Sequence, residues 1–389
     1  MEGVGMTAMD FWQGKRVFLT GHTGFKGAWL CKILEMAGAD VTGYALRPPT
    51  VPDLYNLCKP NVRSIIGDIR DFNVLFKAYQ NAKPEIVIHM AAQPLVLESY
   101  REPRYTYETN VMGAINILEC VRLTETARSV LNVTTDKVYF NQERNEGYRE
   151  EETLDGFEPY ANSKSCSELV TSSYIRSFFC QKNAASNQNR GASGRSVAAW
   201  AQNGVAVSTA RSGNVIGGGD FADNRIIPDC ARSAAKGESI LIRNASAIRP
   251  YQHVLDTLFA YLLILRSQWD EPSCAGAYNI GPDEGDCLTN AELVSLFCEA
   301  WGGGAHWEHV PLENQPHEAN FLKLDCTKIH RVLSWGPRWD TAQAVYQSVK
   351  WYKAFYNGGT PSEVMASQIS EFAAGIKTAE THPAYATVR

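Results

Sequence analysis

KRVFLTGHTGFKGAWLCKILEMAGA, residues 15–39, passes from a short apolar run through a glycine-rich turn into apolar residues at helical spacing. The turn, Gly21-His22-Thr23-Gly24-Phe25-Lys26-Gly27, has the form G-x-x-G-x-x-G. Glycines there let the backbone approach a pyrophosphate, and a helix N-terminus supplies orphan N–H groups and positive potential. A glycine triplet alone also suits a tight turn with no ligand. Set between a buried strand and an amphipathic helix, it favours a dinucleotide and marks Gly21, Thr23, Gly24, Phe25 and Gly27 as candidate contacts.

Outward from this stretch the same unit repeats. DVTGYAL (40–46), SIIGDI (64–69), EIVIHMAA (85–92), SVLNVTTDKVY (129–139) and VAVSTARSGNVIG (205–217) read as strands. FNVLFKAYQNAK (72–83), TNVMGAINILECVRLTET (109–126) and YANSKSCSELVTSSYIRSFF (160–179) read as helices. Alternation of this kind predicts an α/β fold, a Rossmann-type doubly wound parallel sheet with ligands at the carboxyl ends of its strands. Beyond residue 217 the pattern is less regular. IIPDCARSAAKGE (226–238) and NAELVSLFCEAWGG (290–303) look helical, while SILIR (239–243) and GAYNIG (276–281) look like short strands. The expected organisation is a dinucleotide-binding part at 1–212 with about 250–285, and a smaller mixed α/β substrate part at 213–249 and 286–360. Residues 181–204, which hold no acidic side chain, read as a loop insertion, and 361–389 as a C-terminal tail.

The 389 residues are 44% apolar and 20% charged, a soluble composition long enough for a large core. The longest uninterrupted apolar run, residues 258–265, is far short of the ~20 a membrane span needs. No secretory pattern opens the chain, so a cytoplasmic location is expected. The net charge of −5 disfavours a nucleic-acid partner. Ten cysteines are scattered without C-x-x-C spacing, which argues against a zinc ribbon or a thiol redox site; no metal is expected.

Chemistry concentrates in two places. Tyr160 and Lys164 begin a helix one turn apart on one face, and a cationic lysine beside a phenol favours the phenolate. Thr135, Asp136 and Lys137 end a strand whose carboxyl end faces the same crevice. At the adenosine end, the second strand closes on Leu46-Arg47 with no carboxylate for a ribose. Arg47 suits a 2′-phosphate instead, so these residues leave NAD and NADP both open. Asp68 and Ile69 are placed near the adenine edge, and Asp71 equally suits a helix cap.

These stretches, with HMAAQPLV, RSGNVIGGGDF, NRIIPD, IRPYQHVLD, PHEANFLKLD and LSWGPRW, resemble the extended short-chain dehydrogenase/reductase family and within it the CDP-glucose 4,6-dehydratases. The resemblance covers most of residues 11–350. It implies a reaction without net redox change. Tyr160, helped by Lys164 and Thr135, takes the sugar 4-hydroxyl proton while hydride passes from carbon 4 to NAD. Asp136 protonates the departing 6-hydroxyl, and the hydride returns to carbon 6. Lys137 stands where related enzymes have the carbon-5 base; it serves either as that base, when neutral, or as a donor polarising the 4-ketone. The resemblance also implies that Ala91, Ala92, Tyr160 and Lys164 touch the cofactor, and that Arg225, Arg249 and Asn214 hold the nucleotide-sugar substrate. His253 is expected to be structural, and Tyr251 to keep an aromatic pocket wall. A homodimer through the helices at 109–124 and 160–179 is expected, with a tetramer open. An epimerase or reductase on the same scaffold, or a non-catalytic dinucleotide binder, are the competing expectations; neither needs the acid at position 136.

Overall fold

The computed structural model describes residues 9–179, 204–310 and 322–375. The 181–204 insertion, apart from Gly204, therefore lies outside the described residues, as does PHEANF (316–321).

Six of the runs read as strands form β1 (Arg16–Thr20), β2 (Asp40–Ala45), β3 (Arg63–Ile66), β4 (Ile86–His89), β5 (Ser129–Val133) and β6 (Ala206–Ser212). With Ala277–Ile280 they make a seven-stranded sheet in the order 277–280, β6, β5, β4, β1, β2, β3, and every adjacent pair is parallel. Helices cover both faces, so β4, β5 and β6 are buried along their whole length rather than alternating between buried and exposed. The helix α1 (Phe25–Met36) and Val254–Asp270 share one face with the larger hydrophobic cluster. Phe72–Ala82, Gly113–Thr124 and the later part of the Pro159–Phe179 segment lie over the other. The chain builds outward from β1 to β3 and then returns to β4, so the strand order reverses between β1 and β4. A crevice opens at the carboxyl ends there, as expected of a doubly wound sheet.

Local rules fix the edges of the crevice. Gly21 leaves β1 at φ 77°, and a Cβ on it would lie 2.8 Å from the Ala91 nitrogen. Asp71 is a cap, its carboxylate accepting from the Val74 N–H at 3.1 Å. Glu158 caps the Pro159–Tyr174 helix by accepting from the N–H groups of Tyr160 (2.7 Å) and Ala161 (3.1 Å), with Pro159 in the first turn. That cap sets Tyr160 at the mouth of the crevice.

The later part of the chain closes over this edge. Ile226–Lys236, Asn290–Trp301 and Thr341–Tyr356 pack together around Val294, Phe297, Trp351 and Tyr352. Two small strand pairs border them: Ile240–Ile242 with Trp307–His309, and Ile248–Arg249 with Leu288–Thr289. The lobe is pinned to α1: Trp29 Nε1 donates to the Gly218 carbonyl at 3.0 Å, and Trp351 lies where a Gly218 side chain would be. Pro361–Ala374, within the segment expected to be a tail, is a helix burying Met365, Ile369 and Phe372. Among the described residues no helix is long and apolar enough to cross a membrane.

Candidate active site

The glycine turn forms the floor at the β1–β4 switch. Gly27 packs so closely that a Cβ there would lie 2.1 Å from the Gly21 oxygen, holding α1 against the turn. Gly24 is different: a Cβ on it would meet only the Gly21 oxygen, at 3.5 Å, and otherwise project into open space. A concave backbone, open at Gly24 and followed by the unpaired N–H groups of the first helical turn, fits a pyrophosphate. Thr23 turns its hydroxyl away to the Leu46 carbonyl (2.8 Å), tying the turn to the end of β2, where Arg47 is exposed. Asp68 pairs with Arg70 at 2.6 Å, which holds its carboxyl below the usual range. Ile69 is buried beneath, against Gly113. On the β4 side Thr20 Oγ1 accepts from the Met90 and Ala91 N–H groups, both at 3.1 Å, and meets His89 Nδ1 at 2.8 Å. Burial and then Lys164 push His89 down to about 3, so that imidazole is neutral. Ala91 and Ala92 continue this edge beside Gly21.

Thr135, Asp136 and Lys137 leave the end of β5 as one hydrogen-bonded strip. Thr135 caps the short turn and donates to Asp136 Oδ1 at 3.0 Å, and Lys137 Nζ reaches the same oxygen at 3.1 Å. Asp136 Oδ2 is buried with no protein partner. Lys137 Nζ also lies 3.5 Å from Asn214 Oδ1. The Tyr160 hydroxyl is hydrogen-bonded to Thr135, so phenol, hydroxyl, carboxyl and amine meet in one place.

Two expectations change here. Burial outweighs every other influence on Tyr160 and keeps its phenol above the usual value; the cation opposing this is Lys137, not Lys164. Lys164 Nζ turns instead to the Val133 carbonyl at 3.0 Å. Burial and then the charge of Lys26 push it down to about 7. Lys137 moves the other way: burial opposes its charge, but the Asp136 carboxylate wins and holds it above the usual lysine value. It is therefore a cation, which suits a donor to a carbonyl and not a base.

Behind the strip is a residue that sequence reasoning missed. Glu168 follows Tyr160 and Lys164 at the same four-residue interval and is buried. It accepts from Thr134 Oγ1, from Thr209 Oγ1 at 2.7 Å, and from Arg211 Nε and Nη2 at 3.0 and 2.9 Å. The i, i+4, i+8 spacing was the available signal. This buried pair locks β5, β6 and the tyrosine-bearing helix together. Glu168→Gln, which strands part of the Arg211 charge, is expected to cost about 3 kcal/mol in denaturant unfolding; a loss under about 0.5 kcal/mol would show that the pair does not hold the strip.

Above the strip is a cavity of about 720 Å³ lined by Thr135, Lys137, Tyr160, Asn214, Arg225 and Arg249, among others. Arg225 pairs with Asp220 at 3.2 Å, and the buried Arg249 donates to its neighbouring Ile248 carbonyl at 3.0 Å. Tyr251 lines the same wall, with its hydroxyl on Asn290. His253 lies outside it, buried between Trp29 and Trp339, with Nδ1 accepting from the Leu255 N–H. The predicted residues thus fall into two neighbouring groups, a cradle at the glycine turn and a cationic cavity over Tyr160. Lys26, Ser212 and Tyr261 join them unforeseen.

The chain is similar to known proteins over most of its length. The family model for GDP-mannose 4,6-dehydratase matches residues 18–348. The chain is 44% identical over 370 residues to the CDP-glucose 4,6-dehydratase of Salmonella typhimurium, spanning 94% of this chain and 98% of that protein. It is 25% identical over 366 residues to the dTDP-glucose 4,6-dehydratase of Haemophilus influenzae, spanning 86% and 97%. The solved dTDP-glucose 4,6-dehydratase of Bacillus anthracis in complex with NAD has a TM-score of 0.70 at 19% identity, covering 90% of this chain and 100% of that one. The UDP-glucose 4-epimerase of Thermotoga maritima with UDP-glucose has a TM-score of 0.72 at 21% identity, covering 87% and 99%.

Proposed function

The chain belongs to the GDP-mannose 4,6-dehydratase family, and on that premise we propose how its crevice converts CDP-D-glucose to CDP-4-keto-6-deoxy-D-glucose. It is an NAD-dependent nucleotide-sugar 4,6-dehydratase, a hydro-lyase. The observation that carries the proposal is Asp136: one oxygen is held by Thr135 and Lys137 while the other is buried and unpartnered. A 4-epimerase expels no water and has no use for such an acid.

Gly21, Gly24, Phe25 and Gly27 would cradle the NAD pyrophosphate. Thr23 and Arg47 would border its adenosine end together with Asp68 and Ile69, and Ala91, Ala92, Tyr160 and Lys164 would border the nicotinamide half. A bound NAD would supply the hydride acceptor for sugar carbon 4 and the hydride donor for carbon 6. Tyr160 receives the 4-hydroxyl proton; the Thr135 hydrogen bond and the Lys137 charge draw its phenol toward ionisation against the effect of burial. The Lys137 ammonium polarises the 4-ketone, which acidifies the carbon-5 proton. The Asp136 carboxylate takes that proton and passes it to the departing 6-hydroxyl, so the group leaves as water; carbon 5 is reprotonated from solvent as the hydride returns to carbon 6, and Tyr160 releases its proton to solvent. Arg225 and Arg249 hold the diphosphate, whose oxygens suit guanidinium forks, and Asn214 hydrogen-bonds the nucleotide-sugar.

The substrate claim is checked by incubating the protein with CDP-, UDP-, dTDP- and GDP-glucose and following loss of water by mass spectrometry. Selective dehydration of CDP-glucose is expected; equal dehydration of all four, or of none with NAD present, contradicts it. The assembly proposed is a cytoplasmic homodimer through the Gly113–Thr124 and Pro159–Tyr174 helices. Their neighbourhood leaves Met112, Leu123 and Leu169 exposed on a monomer, apolar surface of the kind a two-fold interface buries.

A further inference from the structure

The cavity over Tyr160 continues into the later lobe, where Asn224 and Arg243 line it together. Asn224 directly precedes Arg225 and has a left-handed backbone, φ 61°. Arg243 directly follows the Ile240–Ile242 strand. The two meet across the lobe: Arg243 Nη1 donates to Asn224 Oδ1 at 2.9 Å, and both residues are exposed. Asp229, which lines the cavity too and feels the Arg243 charge, is paired with Arg232. Beside this polar pair the cavity wall is apolar. Leu241 is 59% exposed there, and Ile226 is only half-buried, so two aliphatic side chains stand uncovered next to a guanidinium–amide pair.

A nucleotide whose diphosphate lies on Arg225 and Arg249 carries its base to this neighbouring pair. We propose that Arg243 and Asn224 read the edge of that base and select cytosine over uracil and thymine, while Leu241 and Ile226 flank the ring. The proposal rests on the assignment of the cavity to a nucleotide-sugar and names what chooses among such substrates. A guanidinium with Nη1 on Asn224 still offers Nε–H and Nη2–H as two parallel donors, and an amide oxygen with one bond retains a second lone pair. In sequence the pair presents donor, donor, acceptor. Cytosine answers with acceptor at O2, acceptor at N3 and donor at the 4-amino group, so all three positions match. Uracil and thymine set an N3–H against a donor and the 4-oxygen against the Asn224 oxygen. Two of their three positions are therefore left unpaired, which costs more than a missing contact does.

The test is the ratio of the dissociation constants for UDP and CDP, measured by calorimetric titration of the full-length protein as wild type, Arg243→Ala and Arg243→Gln. Both substitutions fall on an exposed side chain and leave the core untouched. Wild type is expected to favour CDP about thirtyfold, the scale of one well-made bidentate contact to a base. Arg243→Ala should bring the two nucleotides within about threefold of each other. Arg243→Gln, whose amide can accept from the uracil N3–H and donate to O2, should tilt the ratio toward UDP. Equal binding of CDP and UDP by wild type overturns the proposal. So does a parallel weakening of both in Arg243→Ala, which would make the arginine a diphosphate clamp. If wild type binds neither nucleotide, the nucleotide-sugar assignment falls and the proposal falls with it. Because binding is read without turnover, a protein that leaves CDP-glucose unchanged would refute the reaction alone, and a shifted ratio would still support the base reading.

Discussion

Tyr160→Phe is expected to lower kcat for dehydration by about a thousandfold, the scale of a lost general base, with no reduced nicotinamide appearing when enzyme and CDP-glucose are mixed. The substitution removes one oxygen. Thr135 keeps its bond to Asp136, Lys137 keeps both its partners, and the Glu158 cap that places residue 160 uses only backbone N–H groups. The loss therefore reports on the phenol and not on the fold. Because Tyr160 acts before any hydride leaves the sugar, the block falls at the first step. Turnover within tenfold of wild type would remove Tyr160 from the role given to it.

Asp136→Asn is expected to lower kcat by roughly a hundredfold or more, but with the opposite signature. Asparagine retains an oxygen for Thr135 and Lys137, so the strip stays assembled and carbon-4 oxidation proceeds. What fails is protonation of the departing hydroxyl. Rapid mixing should then show a burst of reduced nicotinamide approaching one per site, followed by slow decay. Slow turnover without that burst would mean that Asp136 is needed earlier, as a support for Lys137 and not as the acid.

The contrast between these variants follows from geometry that was only partly legible in the chain. Strand and helix alternation led directly to the doubly wound sheet, because period and glycine placement are local properties. The Tyr160 and Lys164 pairing was legible for the same reason, being one helical turn. Which lysine acts on the phenol was not: Lys137 and Tyr160 are neighbours only because the end of β5 folds against the capped helix. Lys26 was hidden by the glycines around it, whose pattern says nothing about a side chain reaching Val254–Asp270. Glu168 had a readable spacing, but its partners Thr209 and Arg211 come from β6 across the insertion. The 361–374 helix also had a signal, since Met365, Ile369 and Phe372 recur at helical intervals with no chemical motif to draw notice.

The central claim is that hydride leaves carbon 4 of the sugar and comes back to carbon 6 while water is expelled between. CDP-glucose deuterated at carbon 4 tests this most directly, with the product position read by NMR. The account predicts deuterium on the carbon-6 methyl and a solvent-derived hydrogen at carbon 5. Deuterium found at carbon 4 of an epimerised product, or lost to water altogether, would contradict it.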